Sequence, residues 1–289
     1  MRAKARFFLP SIFSVVGIGV SLAFIYYVTY ELPPTFDFVG FIEGTLFTDI
    51  AFVLAMAIPV LFIAYIILGV PFAGLYLFGS RVLKASAYDL RIEKLGDNFG
   101  GIRLIRRSVA PALFSVSSAG IILGLIEGFI FSTPPVLSPQ FEFIFPLSLT
   151  LMASLIIMPI ALILFTPTWI LSDAGLVTQL KKNQLEIRQC PDTEGVGRWF
   201  SNSLGGFSLV AFPVSMFFAH FYNPFVIDLI PLNTISLLIS ILWTIGLPLG
   251  VMAFIIPVVL LHERMRNKTV RFIQGYAQRL GADDERSKK

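Results

Sequence analysis

Of 289 residues, 56% are apolar and 29 are Phe, while only 14% carry charge; a soluble domain of this size cannot cover so much apolar surface with so few charges. A lone cysteine, Cys190, excludes an intrachain disulfide scaffold. The formal net charge of +4 does not point to nucleic acid, because the bases flank apolar runs instead of lining a soluble face.

Six apolar stretches follow in chain order, over 7–30, 50–79, 109–131, 143–171, 203–227 and 229–261. Each reaches the ~20 residues a helix needs to cross a hydrocarbon core. Barrel strands would alternate over about ten residues, whereas these runs are apolar on every face, so helices are the spanning structure that satisfies their backbone. The first run is long and ends in Tyr26, Tyr27 and Tyr30 without a small-residue cleavage site, which makes it a retained anchor. The fold class expected is an all-α integral membrane protein of six transmembrane helices. Its cytoplasmic connectors are 80–108 and 172–202, and its tail is 262–289.

Charge placement sets the orientation. With the N-terminus in the cytoplasm, all 22 Lys and Arg fall on the inner side. The outer segments then hold six acids, Glu31, Asp37, Glu43, Asp49, Glu142 and Asp228, and no base. So complete a bias on short loops predicts a plasma-membrane protein with both termini cytoplasmic.

An internal repeat is also expected. Pro10-Ser-Ile-Phe-Ser-Val, followed by Gly19, Leu22, Ile25 and Pro33-Pro34, aligns without a gap with Pro111-Ala-Leu-Phe-Ser-Val, Gly120, Leu123, Ile126 and Pro134-Pro135. In the connectors, Leu90, Ile92, Asp97, Gly100 and Arg103 align with Leu185, Ile187, Asp192, Gly195 and Arg198. The pattern predicts three tandem hairpins, approximately 7–107, 108–202 and 203–289. The Pro-x-Asp/Glu-x-x-Lys/Arg motif of mitochondrial carriers, which are also three tandem hairpins, is missing from every odd-numbered span, and that family is not claimed.

Enzyme signatures are incomplete. His262-Glu263 opens like a zinc-protease helix, but Arg266 stands where the second histidine ligand belongs. No Asp lies inside a span to form an aspartyl dyad, and His220 lacks a Gly-x-Ser-x-Gly partner for a serine dyad. Asp283-Asp284 reads as part of a solvated tail. No metal, cofactor or catalytic residue is implied. In the outer loop 31–50 the acids Glu31, Asp37, Glu43 and Asp49, spaced every six residues, do not share one helix face and read as ordinary loop composition.

Inside the spans the single acid is Glu127 and the single histidine His220, roughly 27 and 22 Å along their helices at ~1.5 Å per residue. An ionisable group at that depth is a candidate intramembrane polar site, and the two are expected to face one interior crevice. Gly120, Gly124 and Gly128 line up as a helix-packing seam beside Glu127. Pro59, Pro71, Pro159, Pro167, Pro213, Pro248 and Pro257, with Pro224, mark expected helix kinks. Residues 176–190 read as a small hairpin, Arg103, Arg106 and Arg107 as contacts to lipid headgroups, and Trp199 as an interfacial anchor.

The leading expectation is a transport or channel type of protein that moves a small neutral, weakly polar or lipid-like solute through a crevice between kinked helices. The alternative is a non-catalytic scaffold or assembly subunit of a membrane complex, and the third is a membrane-embedded lipid-processing enzyme. Expected partners are membrane lipids, with other membrane subunits or a second copy of the chain, and no nucleic acid.

Overall fold

In the computed structural model, residues 2–31, 59–84, 87–93, 101–130, 139–181, 193–227 and 233–284 are described. They contain six long helices: α1 (Arg2–Glu31), α2 (Pro59–Lys84), α3 (Gly101–Ile130), α4 (Pro139–Asp173), α5 (Val196–Phe217, continuing as a π-helix through Phe218–Ile227) and α6 (Thr234–Arg279). All six are long and apolar enough to cross a membrane, the pattern of a multi-pass membrane protein. Their outer surfaces agree, since Val15, Leu125, Ile156, Val210 and Ile235 are each about 70% exposed, which water would not tolerate over so many residues.

Several helices overrun the apolar stretches. α3 takes in Arg106 and Arg107, α5 begins at Val196, and α6 runs 46 residues, about 69 Å at ~1.5 Å per residue. Residues 262–279, expected to be tail, are therefore the last turns of the sixth helix. A capping box starts α6: the Asn233 side chain accepts from the Ser236 backbone N–H at 2.8 Å, and the Asn233 N–H donates to the Ser236 hydroxyl at 3.2 Å. The prolines at 10, 111, 213, 248 and 257 all sit inside continuous helices.

The all-α expectation meets one exception, a four-stranded sheet at one end of the bundle. Its strands are β1 (Tyr88–Ile92), β2 (Leu176–Leu180), β3 (Thr193–Gly195) and β4 (Asp283–Asp284), in the order β3-β2-β1-β4. β1 and β2 are antiparallel with Leu90 opposite Thr178, while β4 joins β1 in parallel. Alternation in Leu-Val-Thr-Gln-Leu turns Leu176, Thr178 and Leu180 inward. Gly175, at φ 69°, makes the turn from α4 into β2 that a side chain would strain. Leu176–Leu180 is thus a strand as expected, but its partners are β1 and β3; residues 182–190, the other half of the expected hairpin, lie outside the described residues. Asp283-Asp284, read as solvated tail, is backbone-paired to Arg91 and Ile92.

Two apolar cores result. The larger draws on all six helices, with Ile25, Tyr65, Val116, Phe165, Met216 and Val251 among its members. The smaller packs Leu90, Ile92 and Leu176 of the sheet against Ala73 and Leu77 of α2 and Ile273 and Ala277 of α6. α6 is central to the first: Val251 through Ile256, together with Val258 and Val259, are buried without a break in the run 251–256, so no face of that stretch reaches the surface. α1 crosses it closely. A Cβ built on Gly17 would stand 2.5 Å from the Ala253 Cβ, and Ser14 donates to the Ala253 carbonyl at 2.7 Å. Ala253 precedes Pro257 by four residues, so its carbonyl has no helical N–H partner there and the Ser14 hydroxyl donates in its place.

The environments of the matched glycines differ. Gly120 is buried, and a Cβ there would meet Ser215 and Met216 at 3.1 and 3.2 Å, whereas Gly19 is exposed with nothing within 4 Å. The sequence match between the first and third spans is therefore not a match in packing at this position.

Candidate functional site

Buried polar groups collect in two places along α6. At the sheet end, Asp173 closes α4, Arg107 lies in the second turn of α3, Tyr65 comes from a π-helical turn of α2 (Ala64–Gly69), and α6 supplies His262, Glu263 and Arg266. His262 and Arg266 are four residues apart and share a face, which is why both reach the same carboxylate.

The geometry is closed. His262 Nε2 is 3.0 Å from Asp173 Oδ2, and Nδ1 is 2.8 Å from the Tyr65 hydroxyl. A neutral imidazole meets both contacts as one tautomer, with Nε2–H donating to the carboxylate and Nδ1 accepting from the phenol. Arg107 donates to Asp173 Oδ1 at 2.6 Å and to Glu263 Oε1 at 2.7 Å, bridging two acids. Arg266 Nε stands 3.2 Å from Asp173 Oδ2, close enough for ionic attraction though not aligned as a hydrogen bond. The Asp173 and His262 side chains are fully buried, and Trp169 covers the imidazole at 5.8 Å between ring centres. Two carboxylates thus face two guanidinium groups, with the histidine and phenol completing the hydrogen bonds. Such a cluster offsets its desolvation only while every member is present.

This arrangement corrects two expectations. Arg107 is turned inward to Asp173 and Glu263 and is not a headgroup contact; Arg106 beside it is exposed, and the Arg103 side chain lies outside the described residues. His262 is also a second buried histidine, in addition to His220. The missed signal was that Arg107, Asp173 and His262 each stand within two residues of the end of an apolar run.

The other cluster lies near the start of α6. His220, in the π-helical end of α5, is 1% exposed; its Nδ1 is 3.3 Å from the Thr244 hydroxyl, and its backbone carbonyl accepts from Ser240 at 3.1 Å. Thr244 in turn donates to the Ser240 carbonyl at 2.8 Å. Nε2 of His220 meets no hydrogen-bond partner among the described residues. Since α5 begins at Val196, His220 is 24 residues along it, about 36 Å and deeper than expected. Thr244 and His262 are 18 residues, about 27 Å, apart on α6.

The side chain of Glu127 and residue Gly128 fall outside the described side chains, so the expected Glu127–His220 pairing does too. Of the glycine seam, Gly120 packs against α5, and Gly124 has open space beside it. Trp199 stacks edge-on with Phe200 at 4.7 Å and carries the Lys84 ammonium 5.2 Å from its ring centre. Among the described residues no group of three or more His, Cys, Asp or Glu side chains could hold a metal ion. No family model matches the chain, and no curated protein or solved structure is significantly similar to it.

Proposed function

We propose that this chain is a multi-pass membrane protein of transport type that moves a small neutral, weakly polar or lipid-like solute along α6. In this reading the sheet end and both termini face the cytoplasm, as the placement of bases favours. The observation that carries it is the His220 cluster, a buried neutral histidine with one ring nitrogen unpartnered among the described residues, set in a π-helical segment beside two hydroxyls. π-helical turns are frequent at functional positions, and a buried acceptor or donor without a partner costs about 1–3 kcal/mol unless something binds it. A solute hydroxyl or amide supplies the missing bond. At the other end of α6 the closed Arg107–Asp173–His262–Tyr65 network acts as the clamp that keeps the bundle shut, and the prolines of the intervening helices provide places where it can bend.

An assembly-subunit role is favoured by one feature, an aromatic ladder on α5, where exposed Phe217 meets exposed Phe218 at 5.6 Å and half-buried Phe221 at 6.4 Å between ring centres, a surface suited to a partner helix. Purified full-length protein in liposomes separates the two. Shrinkage and reswelling with urea or glycerol, and flipping of a fluorescent phospholipid, should show at least one species crossing severalfold faster than in protein-free vesicles. If folded protein accelerates none of them, the transport reading fails and the assembly role remains.

A further inference from the structure

The end of α6 has an exposed face that neither polar cluster uses. Beyond Glu263, Arg264, Lys268, Arg271 and Arg279 are all exposed, and no acid occurs between Arg264 and Arg279. At ~100° per residue these four bases fall within an arc of about 80°. Phe272, 64% exposed, stands at the edge of that arc, while Thr269, Ile273 and Ala277 are buried on the opposite side. The helix is therefore amphipathic in two senses: one face is packed against the protein, and the other is basic with an aromatic ring at its border.

Its neighbour shows at what depth this face lies. Tyr65 of α2 reaches His262; a Cβ on Gly74 would stand 3.7 Å from the Tyr276 ring; and Ala73 and Leu77 share a core with Ile273 and Ala277. Rising residue numbers on α2 thus meet rising residue numbers on α6, and the two run side by side from His262 to Ala277. Along that same length α2 exposes Ile67 and Leu75, and just beyond it Phe78, Val82 and Leu83, each more than half exposed. A surface of this kind belongs in lipid, not water, so the α6 extension runs at the level of the membrane boundary instead of standing free in solution.

We propose that the α6 extension is a membrane-surface contact that binds anionic lipid headgroups through Arg264, Lys268, Arg271 and Arg279, with Phe272 entering the acyl boundary. Basic residues near an anionic leaflet are attracted to it electrostatically, and an apolar ring beside them adds burial. This places the sheet, which packs on the other side of α6, on the side of the helix turned away from the headgroups. The inference rests on the chain being a membrane protein and is independent of whether it carries a solute.

The test uses the full chain with Cys190→Ser and Phe272→Cys, spin-labelled at the new thiol and inserted in nanodiscs of phosphatidylcholine with or without phosphatidylglycerol. With phosphatidylglycerol, the label should shift severalfold toward oxygen and away from a water-soluble nickel chelate. Replacing all four bases with Gln should abolish that shift while leaving the melting temperature unchanged, since these side chains are exposed. A label equally open to the nickel chelate in both lipids would overturn the proposal, as would a shift that survives loss of the four bases. The first outcome would leave the stripe to a soluble partner such as a protein or nucleic acid.

Discussion

The two polar clusters on α6 are buried alike but closed differently. Around Asp173, each carboxylate oxygen has a cationic or imidazole partner, and both nitrogens of His262 are used. Around His220 there is no ion pair among the described residues, and one ring nitrogen is left open. Physical cost explains the contrast. A buried charge without a partner is far more expensive than an unmatched neutral nitrogen, so a charged cluster has to be complete to exist at all, whereas a neutral one can keep a vacant bond. In the proposed function, accordingly, the complete network holds the helices and the vacancy takes the solute.

Asp173→Ala should break that contrast most severely. It takes from Arg107 one of its two carboxylate partners, removes the carboxylate beside Arg266 and leaves His262 Nε2 without its acceptor, at a cost of about 3–5 kcal/mol. Thermal unfolding in detergent should fall sharply; a melting temperature near that of the wild type would mean the network does not hold the helices. The span between the clusters is the next place to press. Gly17→Ala puts a methyl against Ala253 and should cost about 1–3 kcal/mol, because two helix backbones must separate. Gly19→Ala, two residues along the same helix with nothing within 4 Å, is the control and should leave stability unchanged or raise it by up to about 1 kcal/mol. Equal effects from the two substitutions would remove the close α1–α6 crossing as the brace between the clusters.

Much of this was legible in the sequence where the physics is collective. Six apolar runs sum over some twenty residues each, and the helices appear where the runs are. Burial of single residues was less legible, since it depends on where a helix truly ends. Arg107 and Asp173 read as connector residues because hydropathy falls there, yet the helical backbone continues to them and turns both inward. The sheet was missed for a related reason: β1 and β2 are five residues each and are held by pairing across the chain, with Glu93 N–H donating to the Gly175 carbonyl and Lys181 N–H to that of Ala87. Local pattern alone showed Leu176–Leu180 as a strand but not its partner. Gly175 and Gly281, both at positive φ after a helix, are the marks in the sequence that could have flagged two of the helix-to-strand turns.

The most direct measurement is solute flux through liposomes containing His220→Leu, read beside its melting temperature. Leucine removes the open nitrogen without emptying the site, and Thr244 keeps its bond to the Ser240 carbonyl, so stability should stay within about 1 kcal/mol of the wild type. Losing one solute hydrogen bond of about 1.4 kcal/mol predicts roughly a tenfold fall in flux of the solute that the wild type carries fastest. A stable His220→Leu protein with wild-type flux would contradict the assignment of this neutral cluster as the place where solute is held.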